Sequence, residues 1–430
     1  MKNYLQVCFN TLNNIYKDGA YSNIELNKQL SNVKQDKAII TKVVYGTIEN
    51  DIKLEYIIKS LAPKVKDLPV KIILKMGGYM ILDLNVPDYA IVNECVKLTK
   101  SVGFTSASGL VNAVLKKIVN KDFELPKKEV NFSKYLSINY SKPEWFVKML
   151  IADYGKDMAE GIISTKLEDT TSIRVNTARI SEAKFKALLK GNSIEYKDTP
   201  IGNVLHVDYS KLNGCDKLNG LYTVQNMGSI MICDSAQVQD KSKVLDVCAA
   251  PGGKTMYLAS LNLNGTVEAW DLHEHRVALV EKYRDRMGLT NVTAKVCDAS
   301  KFNQAYVQKY DLVICDVPCS GLGVVNSKPD ILLGKTAESF AELPEIQYQI
   351  LDNCSNYVKL GGAIVYSTCT INKKENSEVI KRFLENHKDF KVDFVKPKYI
   401  DVLVDDYGYT TLANISGIEG FYFARLIRVW

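Results

Sequence analysis

The chain has 430 residues, 46% hydrophobic and 24% charged. These proportions exclude a disordered, collagenous or disulfide-scaffold class and leave room for two or three domains with cores of their own. The net charge of +6 comes mainly from the first 125 residues, where 17 lysines face 12 acidic residues; that excess suits a polyanionic partner but also an ordinary solvated surface, so it excludes little.

No run of about 18 apolar residues occurs, and the start Met1-Lys2-Asn3-Tyr4-Leu5-Gln6 lacks the apolar stretch of a secretion signal. The ten cysteines are scattered without a CxxC pair. Together these features predict a cytoplasmic protein with reduced thiols and no membrane partner. No metal is expected, because His273 and His275 more often form a solvated or locally bonded pair.

Residues 1–125 carry helical periodicity throughout. Tyr4, Leu5, Cys8, Leu12, Ile15 and Tyr16 share one stripe, as do Ile39, Ile40, Val43, Val44 and Ile48. Breaks at Asp18-Gly19, Pro63, Pro69 and Pro87 divide this all-α domain into short helices, the last two around 88–100 and 105–120. After the polar linker Pro126-Lys127-Lys128-Glu129, residues 126–240 mix helical stretches (143–154, 181–190) with β-rich pieces (172–176, 204–209, 221–224), which predicts a small α+β module.

From residue 241 to 430 apolar strands at 244–247, 266–270, 292–296, 312–315 and 363–366 alternate with helical segments at 255–260, 274–287 and 345–360. Such alternation predicts an α/β, doubly wound, parallel sheet, with ligands at the carboxyl ends of its strands. The first strand runs into Asp246-Val247-Cys248-Ala249-Ala250-Pro251-Gly252-Gly253-Lys254-Thr255. Its small residues let a backbone approach a ligand, and the next helix opens its amino end there. It is not a phosphate-binding P-loop, which needs Gly at position 248 and loses an amide donor to Pro251; a G-x-G-x-x-G fingerprint is also absent.

Asp271 stands nineteen residues after Gly252, near the spacing at which a carboxylate accepts from ribose hydroxyls. With Asp246, Asp298 and Asp316 it gives each predicted strand end an acidic residue. That set suits a ligand rich in donors and positive charge, and S-adenosylmethionine fits. Strands four and five then end in Asp316-Val317-Pro318-Cys319-Ser320-Gly321 and Ser367-Thr368-Cys369-Thr370. Two cysteines at a ligand edge point to methylation of a pyrimidine at carbon 5. That carbon is too poor a nucleophile until a thiolate has added to carbon 6.

The strings C-A-A-P-G-G-K-T, D-V-P-C-S-G, S-T-C and Glu419-Gly420-Phe421-Tyr422-Phe423-Ala424-Arg425-Leu426 resemble the Nol1/Nop2/Sun family of RNA 5-methylcytosine methyltransferases. Residues 90–96 and 107–115 resemble the NusB-like helical domain of its bacterial Sun (RsmB) branch, so the resemblance covers nearly the whole chain. It implies three parts: a NusB-like RNA-binding domain (1–125), a linker with a small RNA-binding module (126–240) and a Rossmann-like methyltransferase domain (241–430). It also implies a monomer acting on a cytosine of 16S, small-subunit, ribosomal RNA.

By position, the resemblance makes Cys369 the nucleophile, Cys319 the residue assisting product release, and Asp316 the partner of the base's Watson–Crick edge. The cofactor falls to Cys248, Ala249, Ala250, Pro251, Gly252, Gly253, Lys254, Asp271, Asp298 and Asp316. DNA cytosine methyltransferases take their nucleophile from the Pro-Cys motif, so two cysteines favour RNA. A tRNA-directed relative and a NusB-like RNA-binding factor with a silent methyltransferase domain are the rivals, disfavoured by the front domain and by the two intact cysteines. Three positions depart from the family pattern: Val317 for Ala beside the base pocket, Asn226 for Asp, and Lys328 for His.

Overall fold

The computed structural model describes residues 4–168, 170–212 and 215–430. Two compact units form. One takes the chain up to Ser164 together with Ser327–Ala337, and the other takes Thr165–Asn326 with Glu338–Trp430.

The first unit is helical: α1 (Tyr4–Asp18), α2 (Ser22–Leu30), α3 (Lys37–Glu49), α4 (Asp51–Leu61), α5 (Leu68–Asp83), α6 (Asp88–Ser101), α7 (Ser108–Val119), α8 (Phe132–Asn139), α9 (Glu144–Tyr154) and α10 (Lys156–Ser164). The stripe Leu5, Cys8, Leu12 and Ile15 on α1 is buried, and so are Ile40, Val43, Val44 and Ile48 on α3. Helix α5, apolar on nearly every side from Val70 to Met80, fills the middle of this core. Pro69 lies in its first turn, where the missing amide costs no helical bond. Lys75 on the same helix is buried and paired to Asp51 (2.6 Å) and Glu55 (3.1 Å) of α4. The segment Ser327–Ala337 belongs here by its contacts: Leu333 joins the apolar core, Asp330 accepts from the Ser22 amide (3.2 Å), and the Lys335 carbonyl accepts from the Trp145 indole (2.9 Å).

The second unit begins with an antiparallel sheet of β1 (Thr171–Val175), β2 (Tyr196–Asp198), β3 (Val204–Val207) and β4 (Tyr222–Val224), in the order β2-β3-β1-β4. Helices α11 (Glu182–Gly191) and α12 (Tyr209–Leu212) complete it, with Phe185 and Leu189 packing on Ile173, Val175 and Leu205. Strand β2 has no counterpart in the expected elements because Tyr196-Lys197-Asp198 is short and two of its three residues are exposed.

Next come α13 (Met227–Ser235), β5 (Lys243–Asp246), α14 (Gly253–Leu261), β6 (Thr266–Asp271), α15 (Glu274–Met287), β7 (Val292–Val296), β8 (Tyr310–Asp316), α16 (Leu343–Ser355), β9 (Val358–Thr368), α17 (Ser377–Asn386), β10 (Phe390–Val392), β11 (Leu403–Val404), β12 (Tyr409–Thr410), α18 (Ala413–Ser416) and β13 (Tyr422–Arg428). The large sheet has the order β11-β12-β13-β9-β8-β5-β6-β7, with β10 on the far part of β13. Strands β5 to β9 are mutually parallel. The direction of winding reverses between β5 and β8, which places the ligand crevice at their carboxyl ends.

Two expectations are corrected. The sheet is mixed rather than wholly parallel, because β13 pairs antiparallel with β9 from Tyr422↔Thr368 to Ile427↔Ala363 and carries β10 and β12 with it. The helix expected over 345–360 ends at Ser355, and β9 already starts at Val358, its first residues pairing with β8 across an irregularity.

The antiparallel module is fixed to the large-sheet domain by buried polar groups. Arg174 on β1 is 1% exposed, donates to Gln225 (2.8 Å) and lays its guanidinium 4.2 Å from the centre of the Tyr257 ring on α14. Asn176 donates to the carbonyls of Gly220 and Met287, the latter at the end of α15.

Candidate active site

Three loops meet at the winding reversal. The loop after β5 has a cis Ala250–Pro251 bond and a left-handed Gly252 (φ +112°), a backbone state that favours glycine. Thr255, on the first turn of α14, donates to the Asp246 carboxylate (2.6 Å), while the other Asp246 oxygen is buried with no hydrogen-bond partner. Burial lifts that carboxyl to about 7, and the nearby Asp316 charge adds to the effect. Burial likewise pushes the Cys248 thiol well up, so Cys248 lines this loop as a neutral thiol.

The acidic residues expected at the strand ends are all there. Asp271 accepts from the amides of Ala250 and His273 (both 3.3 Å) and pairs with Arg276 (3.3 Å), so it ties the loop after β5 to the start of α15. Asp298 accepts from the Ser300 hydroxyl (2.6 Å) and amide (3.0 Å), which hold it below the usual carboxylate range. His273 and His275 stack on each other, ring centres 5.5 Å apart.

Asp316 ends β8 opposite Ser367 of β9, whose hydroxyl donates to it (2.8 Å). Its other oxygen takes the Lys254 ammonium at 2.7 Å. Burial lowers the affinity of Lys254 for its proton, but Asp316 outweighs this and the net shift is upward, so Lys254 keeps its charge. The pairing joins the loop after β5 to the end of β8.

Cys319 and Cys369, fifty residues apart in sequence, bring their sulfurs to 3.3 Å, and the Cys369 amide donates to the Cys319 sulfur at 3.4 Å. The Cys319 thiol is held well above its ordinary pKa by the hydrogen bond to Cys369 and by burial. Backbone packing fixes this arrangement from the β13 side. The Gly323 amide donates to the Cys369 carbonyl (3.0 Å), and the Gly420 amide donates to the Gly323 carbonyl (2.8 Å). A Cβ on Gly323 would lie 2.0 Å from the Gly420 oxygen, which explains why Glu419-Gly420-Phe421 belongs with the cysteine motifs.

Beneath the two cysteine loops lies a buried cluster that sequence reasoning did not reach: Gln347 on α16, and Glu375 and Asn376 just before α17. Its signal in sequence is weak, since Lys373-Lys374-Glu375-Asn376 reads as a solvated turn. The departures from the family pattern also find places. Val317 is buried in the apolar cluster with Val313, Cys315 and Tyr366. Asn226 caps α13 by accepting from the Gly228 amide (2.8 Å) and donates to Glu419, a bond that an Asp there would not donate. Lys328 belongs to the segment held by the first unit.

The residues present fit S-adenosylmethionine. A left-handed glycine lets backbone approach, a buried carboxylate oxygen lacks a partner, and three further carboxylates stand at neighbouring strand ends to meet hydroxyl, amine and cationic groups.

Comparison with known proteins agrees with this geometry. Residues 235–427 match the family described as 16S rRNA methyltransferase RsmB/F, residues 2–120 the NusB family, and residues 142–208 the ferredoxin-like domain of RsmF/B-like methyltransferases. The chain is 31% identical, over 98% of its length and 97% of the relative, to the protein of Bacillus subtilis (strain 168) named Probable ribosomal RNA small subunit methyltransferase B. It is 27% identical, over 99% of both chains, to ribosomal RNA small subunit methyltransferase B of Photorhabdus laumondii. The crystal structure of PH0851 superposes with a TM-score of 0.79 over 98% of this chain and 97% of that one, at 22% identity, which shows a shared fold.

Proposed function

This chain belongs to the ribosomal RNA small subunit methyltransferase B family, whose members depend on S-adenosylmethionine, and from that membership we propose that it methylates carbon 5 of a cytosine in 16S ribosomal RNA through a covalent adduct at carbon 6. The observation that carries the reading is the pair Cys319 and Cys369, 3.3 Å apart at the ends of β8 and β9, beside the charged pair Lys254–Asp316. No helix among the described residues is long and apolar enough to cross a membrane.

In this reading the Cys369 thiolate adds to carbon 6, and Asp316, held by Lys254 and Ser367, accepts from the exocyclic amine on the Watson–Crick edge and orients the ring, while the Lys254 ammonium beside it offsets the negative charge moved onto the ring as the carbon–sulfur bond forms. When bound, S-adenosylmethionine supplies an electrophilic methyl group to carbon 5. Cys319 then assists release: having lost its own proton to water once Cys369 is bound in the adduct, its sulfur takes the proton from carbon 5, the carbon 5–hydrogen electron pair forms the 5,6 double bond, the carbon 6–sulfur bond breaks, and Cys369 departs as thiolate. The cofactor is assigned to residues 248–254 with Asp271, Asp298 and Asp316. The base must leave any stack to reach these groups. Residues 1–125 and 126–240, rich in lysine, are assigned to RNA docking, and 241–430 to chemistry.

The test is transfer of labelled methyl from S-adenosylmethionine to unmodified small-subunit ribosomal RNA, with tRNA and DNA in parallel and Cys369→Ala as the blank. Label at one cytosine of the ribosomal RNA, absent in the blank, supports the reading. Label only in tRNA overturns the substrate, and label that survives in Cys369→Ala overturns the nucleophile.

A further inference from the structure

Glu375 and Asn376 are adjacent, 0% and 2% exposed, and their side chains make their shorter bonds to different cysteine loops, which a 2.8 Å bond between the Ser320 and Thr370 hydroxyls joins. Glu375 takes the loop of Cys319. One of its oxygens accepts from the Ser320 amide (2.8 Å) and from Gln347 (3.0 Å). The other accepts from the Ser320 hydroxyl (2.5 Å), from Asn372 (3.0 Å) and, at 3.5 Å, from Thr370. Gln347 also donates to the Pro318 carbonyl (2.9 Å), so Cys319 is held on both sides. Asn376 takes the loop of Cys369 in the same way. Its oxygen accepts from the Thr368 hydroxyl (2.6 Å) and its amide group donates to the Thr370 carbonyl (2.9 Å), one bond on each side of Cys369.

Neither side chain is accounted for by local structure. Asn376 occupies the N-cap position of α17, where an Asn usually bonds its own helix, yet it makes no cap bond. Glu375 is a buried carboxylate, and among the described residues its partners are neutral donors, none of them a cation. A buried unpaired charge is costly unless its oxygens are fully bonded, and here both are. A glutamine would not fit as well: in one orientation its amide N–H groups would face the Ser320 amide and Gln347, and in the other they would face Asn372, donors against donors.

We propose that Glu375 and Asn376 are the positioning residues of the two cysteines, Glu375 chiefly setting the sulfur used in product release and Asn376 the sulfur that attacks the base. The inference rests on the two-cysteine mechanism proposed above. A general structural role would make the two substitutions act alike, whereas separate positioning makes them act oppositely on the covalent adduct.

The experiment incubates each variant with unmodified small-subunit ribosomal RNA and S-adenosylmethionine. It measures turnover, KM for S-adenosylmethionine and the fraction of protein carrying RNA after denaturation. Glu375→Gln is expected to lower turnover at least tenfold with adduct accumulating, and Asn376→Ala to lower turnover at least tenfold with no adduct; both should keep KM within twofold. Cys319→Ala and Cys369→Ala run alongside. If Cys319→Ala traps no RNA, the underlying mechanism fails. If it traps RNA but the two variants give the same adduct signature, or turn over normally, the positioning proposal fails. Should either variant not fold, Ser320→Ala and Thr368→Val each remove one hydroxyl from the same clamps, Ser320 also giving up its 2.8 Å bond to the Thr370 hydroxyl and Thr368 its 3.4 Å contact with the Thr370 carbonyl; they are expected to show the same opposite signatures with about threefold effects on turnover, and equal signatures overturn the proposal.

Discussion

The sulfur atoms of Cys319 and Cys369 lie 3.3 Å apart, close enough to share one proton. Two thiolates at that distance would repel, so the pair gives up its first proton far more readily than its second. The bond to Cys369 is the main cause that raises the Cys319 pKa, so in the proposed mechanism Cys319 is the sulfur that keeps the proton and Cys369 the one that attacks.

From this asymmetry the two alanine variants should fail differently. Cys369→Ala is expected to lower methyl transfer by at least about 10³-fold with no protein–RNA adduct, as for loss of a nucleophile. Cys319→Ala is expected to bind RNA covalently and release it slowly, giving a denaturation-resistant band. Were Cys369→Ala to trap RNA while Cys319→Ala turned over normally, the two roles would be exchanged.

Asp246 gives a pH signature. Its carboxyl is raised from 3.8 to about 7 by burial, so the folded chain binds a proton there that the unfolded chain has already lost. Its stabilising contribution is therefore complete below about pH 4 and disappears as pH rises through 7. Asp246→Asn keeps an acceptor for Thr255 and cannot ionise. The stability difference between wild type and Asp246→Asn, from urea unfolding at pH 4.5 to 8, should move in favour of the variant as pH rises. A difference that stays constant over that range would mean that Asp246 ionises at an ordinary pH.

How far the sequence speaks depends on how local each feature is. The strand ends Asp246, Asp271, Asp298 and Asp316 were legible because each closes an apolar run, and the run alone places it at the crevice. Cys319 and Cys369 were legible for the same reason. Strand β13 was not legible as a sheet member, since antiparallel pairing with β9 is a long-range event and Phe421-Tyr422-Phe423-Ala424 has only the four-residue α18 before it, too short to announce a βαβ unit. Glu375 and Asn376 were hidden for another reason: a charged turn reads as solvated, and only the return of α16 and α17 over the cysteine loops buries it.

Lys75 tests the helical unit separately from the chemistry. Its ammonium sits between Asp51 and Glu55 with only 9% of the side chain exposed. Burial alone would lift the Glu55 carboxyl, but Lys75 outweighs it and brings it to about 2. Lys75→Met removes the buried cation shared by the two carboxylates and leaves Asp51 without it, while Glu55 keeps Lys71 (3.2 Å) and Lys59 (3.3 Å), so it is expected to destabilise by about 3 kcal/mol, the lower end for a broken buried pair. Because the Glu55 value is depressed, the contribution is present above about pH 4.5 and lost as pH falls toward 2. Adding Asp51→Asn and Glu55→Gln to Lys75→Met should recover much of the loss in urea unfolding, and no recovery would show that lost packing of the lysine stem dominates.

Gly323 tests the backbone that carries both cysteines. An alanine there would place its Cβ 2.0 Å from the Gly420 oxygen and 2.9 Å from the Cys369 oxygen, and no flexible side chain is in the way to yield. Relief requires the Cys369 carbonyl or the strand entering β13 to move, breaking the Gly323–Cys369 or Gly420–Gly323 amide bond. A displacement of about 1 Å in a reacting group lowers rates by about 10²-fold. Gly323→Ala is therefore expected to lower turnover by about that factor and to change the adduct fraction, because it shifts one sulfur relative to the other. Gly109→Ala, where nothing lies within 4 Å, is the steric control and should fold and bind S-adenosylmethionine as the wild type does. Turnover of Gly323→Ala within threefold of wild type would show that the Gly323–Gly420 contact does not set the distance between the cysteines.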